Sequence, residues 1–193
     1  MKLFEHNKKK QPQNTEEPKR TEFKTDVTEI LHKTGAHNRK DVCELEYVKA
    51  INLLKNPTQQ TISRASQIMR TLATDFDYLP AALWMAEFSV NGIKNPEQAA
   101  LWYKKAADLG SGKAAYCLGN ILTEGRGVTK NTRLAAEYYA EAAEKGVADA
   151  AFALGEYYIK KGNRIDAADA YKKALDGGCK KAGAKLEKLK NKS

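Results

Sequence analysis

The chain has 193 residues, of which 42% are hydrophobic and 30% charged, and its 33 Lys and Arg residues outnumber its 24 Asp and Glu residues. This length and composition suit one globular domain with polar tails, and they exclude a collagen-like, a disulfide-knotted or a wholly disordered chain. No uncharged apolar stretch approaches the roughly 20 residues needed to cross a bilayer, so the sequence predicts no membrane contact.

The positive charge is confined to the two ends of the chain. Residues 1–40 carry a net charge of +4 and residues 179–193 a net charge of +5, which together equal the formal total of +9. Residues 41–178 are therefore neutral by count. A neutral body is a poor candidate for a nucleic-acid-binding face, although the basic ends remain able to contact a polyanion.

The first segment in chain order is polar. Residues 1–25 are rich in Lys, Gln, Asn, Glu, Thr and Pro and hold few large apolar side chains. Such a composition buries too little surface to offset the entropy of ordering, so we expect residues 1–40 to form a disordered, basic N-terminal segment. The alternative for residues 26–40 is a short helix around Val27–His32. No secretory signal is recognisable in it, because charged residues such as Lys2 and Glu5 interrupt any apolar run. This favours a cytoplasmic protein.

From residue 81 the chain repeats at intervals of 32 to 36 residues. Copies of a first block are Ala81–Ala86, Ala114–Gly119 and Ala150–Gly155, and copies of a second are Ala99–Ala107, Ala135–Ala143 and Ala167–Leu175. Within each block apolar residues return every three or four positions, and alanine, the strongest helix former, dominates. The sequence therefore predicts three units of two antiparallel helices each, at 81–113, 114–149 and 150–181.

Glycines recur at two kinds of position. Gly110, Gly146 and Gly178 each follow a second block, where helices commonly end with a residue in the left-handed conformation. Gly119 and Gly155 lie inside predicted helices, where glycine costs about 1 kcal/mol relative to alanine. Because that cost recurs at equivalent positions, we expect a facing helix to approach too closely there for a Cβ atom.

Two less regular segments flank the repeats. Residues 41–80 carry apolar residues at helical spacing on both sides of Pro57 and are predicted to be a degenerate first repeat. Residues 182–193 are predicted to form a capping helix that is rich in lysine on its outer side, because nothing stacks beyond it. The expected fold class is all-α: a right-handed α-solenoid of stacked antiparallel helix pairs.

The segment from Leu118 to Val128, with the loop Gly125-Arg126-Gly127-Val128, resembles a Sel-1-like repeat, a branch of the tetratricopeptide superfamily. A different loop stands at this place in 81–113, and 150–181 resembles a plain tetratricopeptide unit. The resemblance implies an α-solenoid that binds other proteins or peptides, usually without catalysis, and it implies no particular partner. The periodic, disulfide-pairing cysteines of some secreted relatives are absent, which again favours the cytoplasm.

No residue pattern in the repeats predicts an enzyme, a cofactor site, a metal site or a small-molecule substrate. The segment Gly110-Ser111-Gly112-Lys113 lacks the spacing of a phosphate-binding loop and is predicted to be a turn. All three histidines lie within residues 1–40, so the repeats hold no Cys–His or Ser–His pair. Cys43, Cys117 and Cys179 match no zinc or disulfide pattern and are expected to be reduced thiols.

The candidate binding site follows from the resemblance, which implies that the first helix of each unit lines a concave groove. An apolar row is predicted from Leu83, Tyr116 and Phe152, and a polar row, one turn further on, from Glu87, Asn120 and Glu156. Paired rows of this kind suit a peptide lying in a groove. The alternative is that Leu83, Tyr116 and Phe152 are core residues buried between helices.

The sequence therefore predicts a non-catalytic adaptor or scaffold whose partner is a protein or peptide. The alternative is an accessory protein that contacts nucleic acid or another polyanion through its basic termini. A steep loss of affinity with salt would favour the polyanion. Binding that survives removal of the ends would favour the groove.

Overall fold

The computed structural model describes residues 39–191. The segment predicted to be disordered, 1–40, lies outside the described residues except for its last two, which are helical. The chain divides into two compact units with the boundary between Val42 and Cys43. The three units predicted at 81–113, 114–149 and 150–181 all belong to the second unit.

All regular secondary structure in residues 39–191 is α-helical. The helices are α1 (Arg39–Leu53), α2 (Gln59–Asp75), α3 (Leu79–Asn91), α4 (Pro96–Asp108), α5 (Gly112–Glu124), α6 (Thr132–Glu144), α7 (Ala148–Lys160), α8 (Arg164–Asp176) and α9 (Lys181–Lys190). Each helix from α2 to α8 packs against the next one along the chain. Short loops join α3 to α4, α5 to α6 and α7 to α8, and these three helix pairs stack in sequence order. The predicted all-α solenoid of stacked helix pairs is confirmed.

The second helix of every pair begins at an asparagine. The side-chain oxygens of Asn95, Asn131 and Asn163 accept hydrogen bonds from backbone N–H groups three residues further on, at 3.0, 3.0 and 3.2 Å. These bonds satisfy N–H groups that the first turn of a helix otherwise leaves without a partner. The asparagines thus fix where α4, α6 and α8 begin.

Glycines follow the same three helices. Gly110, Gly146 and Gly178 have φ angles of 99°, 85° and 95°. Glycine reaches this left-handed region readily because it has no Cβ atom. The predicted left-handed helix termini are confirmed.

The core of the repeats is built from alanine and tyrosine. Alanines such as Ala115 and Ala151 are almost fully buried in the first helix of each pair, and their small side chains let the helices approach closely. Tyr103, Tyr139 and Tyr171 are the eighth residues of α4, α6 and α8, and their exposed fractions are only 8, 5 and 1%. The second helix of each pair thus contributes one buried tyrosine to the core.

The helices that flank the three pairs bury one face each. Helix α2 follows the loop that contains Pro57 and buries Met69 and Leu72. Helix α9 buries Ala182 and leaves lysines such as Lys188 exposed. They lie in the segments predicted to be a degenerate repeat and a lysine-rich capping helix.

Candidate protein-binding surface

The predicted site residues occupy equivalent positions in the first helix of each pair. Leu83, Tyr116 and Phe152 are the fifth residues of α3, α5 and α7, and Glu87, Asn120 and Glu156 are the ninth. Residues four apart lie on the same face of a helix. The apolar row and the polar row therefore share one face of each of these three helices.

Two members of the polar row are bound by other side chains of the protein. The carboxylate of Glu87 pairs with Nζ of Lys113 at 2.9 Å, and this ion pair joins α3 to α5. The Oδ1 atom of Asn120 accepts a hydrogen bond from the hydroxyl of Tyr139 at 2.8 Å. The hydrogen bond from the buried Tyr139 orients Asn120, whereas the ion pair of Glu87 lies largely in solvent.

Glu156, the third member of the polar row, has two partners. The hydroxyl of Tyr171 donates a hydrogen bond to its Oε1 atom, and Nζ of Lys185 lies 2.6 Å from the same atom. Burial alone would raise the pKa of Glu156, but the hydrogen bonds from Lys185 and Tyr171 and the positive charge of Lys185 outweigh it, so the pKa is lowered. The carboxylate is thus kept ionised while it links α7 to α8 and α9.

The apolar row is half-buried. The ring centroid of Tyr116 lies 6.0 Å from that of Tyr139 at an interplanar angle of 44°, and the ring of Phe152 lies 5.5 Å from that of Tyr171 at 47°. Tilted aromatic pairs of this kind are favourable contacts. Leu83 is half-buried as well. Each of these side chains therefore packs against the protein in part and remains accessible in part.

Tyrosine rings cover the two glycines inside helices. A Cβ atom added at Gly119 would lie 2.5 Å from Cε1 of Tyr139, and one added at Gly155 would lie 2.6 Å from Cδ1 of Tyr171. Both distances are far below van der Waals contact, so no side chain fits unless the ring moves. The predicted close approach is confirmed, with one difference: the approaching group is an aromatic ring rather than the backbone of the facing helix.

The first helix pair has a different arrangement. Ala86 stands at the eighth position of α3, where α5 and α7 carry glycine. Tyr103 lies beside Cys117, which belongs to α5 of the next pair, and both residues line the same cavity. Burial, with smaller contributions from Cys117 and Glu87, raises the pKa of Tyr103 to about 12. The buried tyrosine of the first pair thus lies at the junction between repeats.

A cavity of about 250 Å³ opens beside Tyr103 and Cys117. Lys94 from the α3–α4 loop and Arg126 from the α5–α6 loop line it, together with Asn120 of the polar row. The sequence analysis missed this site, because nothing in the spacing of two cations 32 residues apart pairs them. The sequence feature that could have pointed to this cavity is the glycine-containing loop around Arg126.

That loop packs against the first turn of α4. Gly127 has a φ of 66°, and a Cβ atom there would lie 2.6 Å from the backbone nitrogen of Glu97 and 2.8 Å from the carbonyl carbon of Pro96. Only glycine permits both this conformation and this approach. The Gly-x-Gly-Val sequence therefore has a physical role, since it holds Arg126 beside the cavity.

Three further features concern residues 39–191 as a whole. Within residues 39–191, no helix combines the length and the apolar character needed to cross a membrane. No group of three or more His, Cys, Asp or Glu side chains in the same range is placed to hold a metal ion. All three cysteines are free thiols.

Stacked helix pairs with a repeated face define the class of α-solenoids that serve as scaffolds for protein interactions. The Sel1 repeat model matches residues 79–111, 112–147 and 148–176, which are 98 of the 193 residues, and the chain belongs to the Sel1 repeat family. Each matched repeat begins at the first residue of α3, α5 or α7, two residues before the unit predicted from sequence. Sel1 repeat proteins generally bind other proteins and are typically not catalytic.

Two solved structures illustrate the similarity. A Sel1 repeat protein from Oxalobacter formigenes is 31% identical, with a TM-score of 0.56, over 62% of this chain and 95% of that one. A protective antigen of uropathogenic Escherichia coli strains that displays an SLR fold is 27% identical, with a TM-score of 0.59, over 79% of this chain and 33% of that one. The comparison with curated proteins gives no match.

Proposed function

We propose that the chain is a non-catalytic adaptor or scaffold that binds a protein or peptide along α3, α5 and α7. The partner contacts the apolar row (Leu83, Tyr116, Phe152) and the polar row (Glu87, Asn120, Glu156). The observation that carries this proposal is the shared register, because the fifth and ninth positions recur on the first helices of three successive pairs. A regular row of half-exposed side chains on rigid helices matches an extended partner.

The fixed contacts of the polar row support this surface as a binding site. Asn120 and Glu156 are each held by a buried tyrosine hydroxyl, and Glu87 is held by Lys113. Side chains that are already ordered lose less conformational entropy when a partner binds.

Exposed apolar side chains on the second helices offer a less suitable surface. Leu101 and Ile165 are 68 and 78% exposed, but they are the sixth residue of α4 and the second of α8. They do not repeat in register and so form no row. Isolated exposed apolar residues of this kind are common on protein surfaces.

The state of the cysteines supports a cytoplasmic location, which we propose with the function. Cys43, Cys117 and Cys179 are all free. Unpaired thiols are typical of reducing compartments.

The second candidate function is contact with nucleic acid or another polyanion through the basic ends. One observation favours it: the whole net charge of +9 resides in residues 1–40 and 179–193. Such binding depends on neutralising phosphate charges and weakens steeply as salt rises.

An affinity capture from native lysate, with the bound proteins identified, tests both candidates. The full chain is compared with a variant lacking residues 1–40, with Tyr116→Ala/Phe152→Ala, and with the control Leu101→Ala/Ile165→Ala. The affinity of the captured partner is then measured at low and high salt. Melting temperatures show whether the double variants remain folded.

If the partner binds in the groove, it should still bind the variant that lacks residues 1–40, and it should bind the control Leu101→Ala/Ile165→Ala normally. Loss of two aromatic anchors should cost about 2 kcal/mol or more, roughly a thirtyfold loss of affinity. Full binding by a folded Tyr116→Ala/Phe152→Ala variant, together with dependence on the ends and on salt, would establish the polyanion function instead.

A further inference from the structure

The cavity between the first two helix pairs is lined by two cations, Lys94 and Arg126, and by no carboxylate. Two acids of the neighbouring helices are already paired: Glu124 contacts Nε of Arg126 at 2.5 Å, and Glu87 contacts Lys113. Arg126 retains the N–H groups of its two Nη atoms beyond that contact. Lys94 makes no ion pair with any residue that the structure describes.

The backbone of Lys94 is strained. Its φ is 52°, and the equivalent residue of the third pair is Gly162 with a φ of 76°; each immediately precedes the asparagine cap of the next helix. A non-glycine residue pays a steric cost in this region, whereas glycine does not. Strain of this kind is a feature of sites that hold a side chain in place for binding.

The rest of the cavity suits a carboxylate on a short aliphatic stem. Val90 and Ile121 supply apolar wall. The Oδ1 atom of Asn120 is occupied by Tyr139, which leaves its NH₂ group to donate to a ligand. The first turn of α4 also lines the cavity, and the positive end of its helix dipole adds to the attraction for an anion. A volume of about 250 Å³ is smaller than a typical ligand pocket and has room for one acidic side chain with the water around it.

We propose that this cavity receives an acidic side chain, Asp or Glu, of the bound protein partner, with Lys94 and Arg126 neutralising its carboxylate. The inference rests on the proposed protein-binding function, since Asn120 belongs to both the polar row and the cavity. It adds a chemical requirement: the partner carries an acidic residue where it crosses the junction between α3 and α5.

An NMR titration of the ¹⁵N-labelled full chain tests the proposal without a known partner. The probes are N-acetyl-glutamate α-methylamide and N-acetyl-glutamine α-methylamide, which differ only in the charge of the side chain at neutral pH. The acid should cause saturable shifts at the amides of Lys94, Asn120 and Arg126. The amide should bind about tenfold more weakly, the usual effect of losing a charged hydrogen-bond partner.

Substitutions locate the binding. Lys94→Met and Arg126→Met should each weaken binding of the acid about tenfold. Two variants are used so that loss of fold in one does not decide the test. Lys172→Met, at an exposed lysine of α8, is the matched control and should leave the affinity unchanged.

Equal shifts from both probes, shifts at other residues, or no shifts at the highest soluble concentration would overturn the proposal. Unchanged affinity in folded Lys94→Met and Arg126→Met would do so too. The outcome is separable from that of the lysate capture. Failure of the glutamate probe removes only the acidic requirement, whereas failure of the Tyr116→Ala/Phe152→Ala test removes the groove.

Discussion

The first helix pair and the two that follow it use the same buried tyrosine in different ways. In the second and third pairs the ring lies over a glycine, and the hydroxyl binds Asn120 or Glu156 of the same pair. In the first pair Ala86 replaces the glycine, and Tyr103 lies beside Cys117 of the next pair. The cavity lies at this junction.

A single methyl group accounts for this difference. A Cβ atom at Gly119 or Gly155 would lie 2.5 or 2.6 Å from the tyrosine ring, so the ring position of Tyr139 and Tyr171 is incompatible with an alanine at the same place. The ring of Tyr103 must therefore lie elsewhere. A residue at the interior of a helix thus decides whether the tyrosine ring lies over the first helix of its own pair or beside the next pair.

The largest expected effect is that of Gly155→Leu. Helix propensity alone would stabilise this variant by about 1 kcal/mol, but the side chain has no room beneath Tyr171. We expect a net loss of at least about 2 kcal/mol from overpacking, measured by urea unfolding. Gly183→Ala is the control, because its nearest neighbouring atom would be 3.7 Å away, and it should be stabilising. A more stable Gly155→Leu variant would mean that the ring does not confine this position.

A smaller effect is expected where the first and third pairs differ in their loops. Lys94→Gly relieves the steric cost of a positive φ and should raise stability by about 0.5–1 kcal/mol. Lys130→Gly is the matched control: Lys130 also precedes an asparagine cap, but its φ is not positive. That change should instead lower stability slightly, because glycine adds entropy to the unfolded chain. The two melting temperatures should move in opposite directions, and equal shifts would show that Lys94 is not strained.

The smallest effect concerns the link between Glu156 and Lys185. Because the pKa of Glu156 is lowered in the folded state, its contribution to stability is present above the ordinary value of 4.5 and is lost as the pH falls below it. Glu156→Gln should therefore cost up to about 1 kcal/mol at neutral pH, a modest amount because the pair is partly exposed. The deficit should shrink at about pH 3. Glu144→Gln, at an exposed glutamate that forms no ion pair with a described residue, is the control and should leave stability at neutral pH nearly unchanged. A deficit for Glu156→Gln that stays constant with pH would contradict the assignment.

The sequence predicted the features that depend on residues close together in the chain. Alanine-rich blocks, the left-handed glycines Gly110 and Gly146 and the crowding at Gly119 all follow from spacing and conformational preference. The identity of the crowding group did not follow, because a tyrosine ring and a helix backbone both exclude a Cβ atom. The cavity could not be predicted for a different reason: Lys94 and Arg126 lie far apart in the chain and come together only through the packing of two loops on α4.

The central claim is that the tyrosine ring, and nothing else, makes glycine necessary at the eighth position. A double-mutant cycle of Gly155→Ala and Tyr171→Ala, followed by urea unfolding of the full chain, tests it most directly. In the native background Gly155→Ala should destabilise, because the new Cβ atom meets the ring. In the Tyr171→Ala background the same change should stabilise by up to about 1 kcal/mol, the ordinary preference for alanine over glycine in a helix. Destabilisation of equal size in both backgrounds would contradict the claim.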